Sequence, residues 1–203
     1  MVAQSATPLP EWDYEWSRTS GILPENDGWT KTIGTTGTAS CGYEGSYYYN
    51  HATTSGAYIQ HSIPGQYSKG MLEIGFRIST NYGRFRLCLS NGSNALSVNA
   101  SYANNGTKAI LLQDASLIAD MTKLADFTKS ETYYLRLVLN NGYGDVYVRN
   151  ATAGDTDFTQ IAHNVDITTL QPVTADTSFR FSATGSTKQT CNIYSIKMKF
   201  NRI

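Results

Sequence analysis

The segment ETYYLRLVLNNGYGDVYVRN, residues 131–150, holds two runs of apolar and aromatic residues around Asn140, Asn141 and Gly142. Leu135, Leu137 and Leu139 alternate with Tyr134, Arg136 and Val138. A period of two sends the leucines to one face of a strand. Asn and Gly take positive φ at little steric cost, so Asn140-Asn141-Gly142-Tyr143-Gly144 can reverse the chain before Asp145-Val146-Tyr147-Val148 returns as the partner strand. The unit predicts a β-hairpin with one buried and one wetter face.

The same alternation recurs outward from this hairpin. MLEIGFRIS sets Leu72, Ile74, Phe76 and Ile78 on one side, RFRLCLS does so with Phe85, Leu87 and Leu89, and ALSVNAS with Leu96, Val98 and Ala100. The connections TNYG and NGSN carry the residues that tight reversals require. Further strands are predicted around 12–18, 43–49, 56–62, 108–113, 158–163, 177–182 and 190–200. A helix competes over 114–127, where Leu117, Met121, Leu124 and Phe127 recur at near-helical spacing behind an Asp that can cap. At most one short helix is therefore expected. No fixed-period repeat or dividing linker occurs, so residues 1–203 are expected to form one domain, with 1–11 leading into the first strand.

Composition narrows the classes of function. Charged residues are 16% of the chain, below the roughly 25% of an average soluble protein, while Tyr alone contributes 14 residues. The formal net charge is zero and no run of Lys or Arg occurs, so no nucleic-acid partner is expected. No stretch approaches the roughly 20 apolar residues of a membrane helix, and the opening MVAQSATPLPEWDYEW lacks the basic start and apolar run of an export signal. Neither membrane insertion nor signal-directed secretion is expected. Cys41, Cys88 and Cys191 are too scattered for a disulfide framework or a zinc site and read as small apolar residues. The acceptor patterns at Asn91, Asn99, Asn105 and Asn150 read as products of a surface rich in Asn, Ser and Thr.

Ten or more short strands with turn signals every 8 to 12 residues predict an all-β, two-sheet antiparallel sandwich or jelly roll. GMLEIGFRI, GRFRLCLSNGS, TYYLRLVLNNGYGDVYV and CNIYSIKMKF resemble the strand succession of the concanavalin A-like lectin/glucanase superfamily, in its laminin-G form of jelly roll, over about residues 40–200. More distantly, DYEW and GILPENDGWTK are similar to openings of phage and prophage structural proteins of gut bacteria that carry such domains. These resemblances imply a lectin-like binding module on a virion, such as a tail or head appendage. It would recognise glycans, cell-surface polysaccharides or protein surfaces, with other virion proteins or further copies of the chain as neighbours. A virion protein leaves the host by lysis, so such an extracellular binder needs no export signal. The alternatives are a purely structural decoration or scaffold subunit, or a secreted bacterial carbohydrate-binding module.

Glucanases of the superfamily set an acid and a nucleophile on one strand in an E-x-D-x-x-E type of motif. That motif is absent here. The nearest candidate strand offers Glu73 alone, and Asp155 and Asp157 in AGDTD read as solvated loop carboxylates. His51, His61 and His163 are far apart in sequence, and no nucleophile elbow, zinc-binding His pair or phosphate-cradling Gly loop occurs. No catalysis is expected. Calcium is common among relatives of this fold, and Asn141, Asp145 or Asp27 would offer oxygen ligands. No dense carboxylate loop appears, however, so no metal or other cofactor is expected.

The polar sheet surface remains. If Leu72, Leu87, Leu135 and Phe181 face the core, parity turns Arg77, Arg86, Arg136 and Arg180 outward on one side, with Glu73, Ser97 and Asn99 among them. Arginine forks bind carboxylates bidentately, so this surface would hold an acidic sugar or an acidic partner. The plainer alternative pairs the arginines with Glu73 and other acids on a solvated sheet. Tyr47, Tyr48 and Tyr49 are consecutive, and Tyr82, Tyr102 and Tyr143 fall at predicted strand ends or turns, where aromatic faces stack on sugars or simply favour strands. Trp12 and Trp16 lie four apart, which in a strand places them on one face, against the core or a neighbouring subunit. The candidate binding set is thus Arg77, Arg86, Arg136, Arg180, Glu73, Asn99, Tyr82 and Tyr143.

Overall fold

The reversal at Asn141-Gly142 is the tightest available. In a computed structural model, these two residues take φ of 48° and 89°, the positive pair of a two-residue primed hairpin turn. Thr132–Asn140 and Tyr143–Asn150 form the flanking strands, in register from Asn140↔Tyr143 to Tyr133↔Asn150. The return strand therefore starts at Tyr143, immediately after the turn.

The structure describes residues 12–17, 26–32, 39–43, 47–51, 57–62, 67–78, 84–91, 95–102, 108–113, 122–170, 178–183 and 189–202, several of these strands by backbone alone. Fifteen strands run along them: β1 Tyr14–Ser17, β2 Thr30–Thr32, β3 Ala39–Tyr43, β4 Tyr47–His51, β5 Ala57–Ser62, β6 Tyr67–Ile78, β7 Arg84–Ser90, β8 Ala95–Tyr102, β9 Lys108–Gln113, β10 Thr122–Asp126, β11 Thr132–Asn140, β12 Tyr143–Asn150, β13 Thr159–Asp166, β14 Ser178–Ala183 and β15 Gln189–Arg202. They build two antiparallel sheets. The larger, of eight strands, runs β13-β12-β11-β6-β15-β4-β3, with β1 also on β15; the smaller, of seven, runs β10-β9-β8-β7-β14-β5-β2. One turn of 3₁₀ helix, Thr168–Leu170, follows β13.

Alternation and register together make the core. Leu72, Ile74, Phe76 and Ile78 of β6 are fully buried, and their partners on β11 and β15, among them Leu135, Leu137, Ile196 and Met198, are buried beside them. Leu87, Leu89 and Val98 close the core from the smaller sheet. The result is an all-β, two-sheet antiparallel sandwich with its apolar layer between the sheets. The Phe181 side chain lies outside what is described.

Four expectations change. The strand predicted at 43–49 is two strands, β3 and β4, paired from Tyr43↔Tyr47 to Ala39↔His51. Of the 114–127 segment, Thr122–Asp126 is a strand on the edge of β9 rather than helix, while 114–121 lies outside the described residues. Pairing with β9 satisfies backbone groups that a local helical period cannot reach, and Phe127 still reaches the core. Trp16 is buried but Trp12 is not, because β1 begins at Tyr14 and strand parity does not extend to Trp12. The four arginines do not share one side: β6 and β11, with Arg77 and Arg136, are in the larger sheet, whereas β7 and β14, with Arg86 and Arg180, are in the smaller. The two sheets of a sandwich turn their outer faces in opposite directions, so residues of β7 and β14 do not share the outer face that Arg77 and Arg136 occupy.

Candidate functional site

The outer face of the larger sheet is built from rows of side chains across paired strands. Register aligns Tyr147, Arg136, Glu73, Lys197 and Glu15 in one row, on β12, β11, β6, β15 and β1. The next row holds Arg149, Tyr134, Gly75, Ser195 and Ser17. A bulge between Ile193 and Ser195 on β15 sets Ser195 and Lys197 outward while Ile193, Ile196 and Met198 stay buried.

Charge is arranged closely in the first row. Glu73 is only 6% exposed, and its Oε2 accepts from Arg136 Nε at 2.9 Å and Nη2 at 2.6 Å. The Arg136 guanidinium lies 3.8 Å from the ring centre of Phe158, which fixes it by cation–π contact. Lys197 Nζ pairs with Glu15 at 2.6 Å and sits 5.6 Å from the Trp12 ring. These residues open into a cleft of about 690 Å³, walled by Trp12, Tyr147 and Phe158 with Glu73, Arg136 and Asp157 among its polar groups. A second cleft of about 590 Å³ adjoins it, sharing Glu73, Arg149 and Lys197 and adding Arg77, Tyr134 and Ser195.

Of the sequence candidates, Glu73 and Arg136 meet directly, and Arg77 lines the second cleft together with Glu73. Arg86 and Asn99 are register partners on β7 and β8 of the other sheet, where Arg180 pairs with Cys88 and Gln60 on β7 and β5. The side chains of those three, and Tyr82 altogether, lie outside what is described. Tyr143 is 48% exposed at the hairpin and lines neither cleft. Tyr147 and Arg149 were missed although they alternate with Val146 and Val148; parity alone would have found them. Trp12, Asp157 and Phe158 sit outside strands, so strand parity does not place them on this face.

The other polar groups singled out in the sequence have local roles. Asp145 Oδ1 accepts from the Asn164 backbone N–H at 2.8 Å and lies 3.0 Å from His163 Nδ1. Asp27 accepts from Tyr14 Oη at 2.9 Å, and Tyr14 in turn accepts from Trp29 Nε1 at 2.8 Å. Burial, first, and the hydrogen bond to Asp27 push the Tyr14 hydroxyl well above the usual tyrosine range. Asp155 Oδ2 caps the loop by accepting from Asn150 N at 3.0 Å, and Asp157 accepts from Thr156 Oγ1 at 3.2 Å. Among the described residues, no three His, Cys, Asp or Glu side chains converge on a point where a metal ion would be held.

By sequence, no family model and no curated protein matches the chain. By structure, peanut lectin superposes with a TM-score of 0.64 at 13% identity, covering 94% of this chain and 98% of the lectin. Lectin II from Ulex europaeus does so at 0.60 and 13%, covering 94% and 100%. A xylan β-1,4-xylosidase from Bacillus halodurans reaches 0.68 at 11% identity, covering 97% of this chain but 41% of the enzyme, and a sialidase reaches 0.62 at 12%, covering 93% and 18%. The chain therefore spans less than half of those two proteins and nearly the whole of the lectins. At these identities the likeness is one of fold, and that fold is the concanavalin A-like jelly-roll sandwich.

Proposed function

We propose that this chain is a non-catalytic, lectin-like module that takes a glycan across the outer face of its larger sheet. The observation that carries the reading is the first cleft, where Trp12 and Tyr147 flank the fixed Glu73–Arg136 pair within about 690 Å³. Sugars present apolar C–H faces and a rim of hydroxyls, and such a cleft offers aromatic rings to the former and charged hydrogen-bonding groups to the latter. The ion pair costs nothing to organise on binding, because Phe158 already holds Arg136 in place. Concanavalin A-like lectins that match over nearly their full length support the same class.

Two carboxylates, Glu73 and Asp157, line this cleft. Glu73 is committed to Arg136, and Asp157 belongs to an exposed loop, an arrangement that supports binding rather than acid–base work. The proposed setting is a phage virion surface, with other virion proteins or further copies as neighbours, resting on the resemblance of residues 13–31. Mass spectrometry of purified particles checks that setting.

A glycan array followed by calorimetry tests the binding. At least one glycan should be retained, and W12A and Y147A should each weaken it about tenfold, the effect of losing one aromatic contact. A purely structural subunit would retain none. Reducing-sugar release that disappears in Glu73→Gln or Asp157→Asn would overturn the non-catalytic assignment.

A further inference from the structure

The second cleft carries more specific information. Its two ion pairs leave charge over: Glu73 is engaged by Arg136 and Glu15 by Lys197, while Arg77 and Arg149 have no carboxylate partner among the described residues. The Nε of Arg77, the Nε of Arg149 and the Oγ of Ser195 are each buried without a hydrogen-bond partner. Ser195 is itself only 7% exposed, and all three side chains line this one cleft. Buried donors without partners are rare in folded proteins because they lose water and gain nothing.

The floor between them is shaped by a glycine. A Cβ on Gly75 would stand 2.7 Å from Tyr134 Cε1 and 2.8 Å from Ser195 Oγ, so the ring and the hydroxyl close over the glycine and no side chain rises from the row at that point. Arg149 lies 4.4 Å above the Tyr134 ring, which holds its guanidinium over that floor. Arg77, Arg149 and Ser195 line the one cleft above this floor.

We infer that this cleft is a carboxylate subsite, accepting the acid group of a uronic or comparable acidic sugar between Arg77, Arg149 and Ser195. A planar carboxylate has two oxygens with room for about four donors, matching two guanidinium forks and a hydroxyl. The inference rests on the glycan reading of the adjoining cleft: a sugar lying over Trp12 and Tyr147 places its neighbour over Gly75. Arg149 lines both clefts and joins them.

The test is an array carrying oligoglucuronates and oligogalacturonates, each beside its carboxyl-reduced neutral form, together with sulfated glycans. Retention of at least one uronate should exceed that of its reduced form by tenfold or more, and R77Q, R149Q and S195A should each erode that preference. Circular dichroism melts accompany each variant. S195A removes one hydroxyl and no charge, so it decides the matter if an arginine variant fails to fold. Equal retention of both forms, a preference for sulfate over carboxylate, or a preference that survives all three variants overturns the subsite while leaving the glycan reading intact. Retention of no glycan at all overturns both.

Discussion

Glu73 is the residue whose surroundings most constrain it. It sits buried mid-face, and Arg136, with 27% of its side chain exposed, supplies both of its charged hydrogen bonds. Removing the arginine strands a desolvated carboxylate, whereas neutralising the glutamate leaves an amide that still accepts. R136A should therefore cost about 2–3 kcal/mol in urea unfolding and Glu73→Gln nearer 1 kcal/mol. Equal costs for the two would show that the burial of Glu73 is unimportant. Pairing of an arginine with Glu73 was legible in the sequence as the plainer alternative. Which arginine was not, since Arg77 and Arg136 have the same parity and only register sets Arg136 opposite Glu73.

At the scale of elements, the β11–β12 turn makes a sharp comparison. Gly142 has φ 89° and Gly154 has φ 87°, so alanine at either pays a left-handed backbone cost of about 1–2 kcal/mol. An added Cβ at Gly142 would also come within 3.1 Å of Thr168 Cγ2, while at Gly154 it meets nothing within 4 Å. G142A should destabilise more than G154A by chemical denaturation, and identical effects would mean that Thr168 gives way freely. The turn after β13 has its own titration. Thr168 donates its backbone N–H at 2.9 Å and its hydroxyl at 2.8 Å to Asp166 Oδ1, holding that carboxyl below its usual range. The charged form is favoured in the folded state, so this contribution is present above the ordinary carboxylate pKa and is lost as pH falls through the lowered one. An NMR titration should place the Asp166 midpoint lower in the wild type than in T168A. The sequence announced the Asn-Gly turn because its chemistry is local. The strand at 122–126 is decided by a partner strand, which no local period reveals.

For the whole molecule, Tyr14 ties the sheets together. It belongs to β1 of the larger sheet, yet its hydroxyl bonds Asp27 and Trp29 on the segment entering β2, and its ring lies 5.2 Å from that of His61 on β5 of the smaller. Since burial and Asp27 raise its pKa, the folded state holds the proton that an unfolded chain releases. The contribution is complete below the ordinary tyrosine value of about 10 and is lost as pH rises beyond it. Thermal melts should fall steeply on the alkaline side. Y14F should lower stability at neutral pH by about 1–2 kcal/mol through its lost hydrogen bonds and flatten the alkaline decline. An unchanged alkaline slope would place the titration elsewhere.

The sequence by itself determined the buried apolar residues of β6 and β11, the turn at Asn141-Gly142 and that the fold is all β, because alternation and turn chemistry act over a few residues. Only the tertiary structure decided which strands share a sheet. Strand order depends on pairing between distant segments, and it separated Arg86 and Arg180 from Arg77 and Arg136 while bringing Trp12, Arg149, Ser195 and Lys197 to one surface. Parity is a property of one strand, but a binding face belongs to several strands in register, and register is set by the apolar faces that find one another.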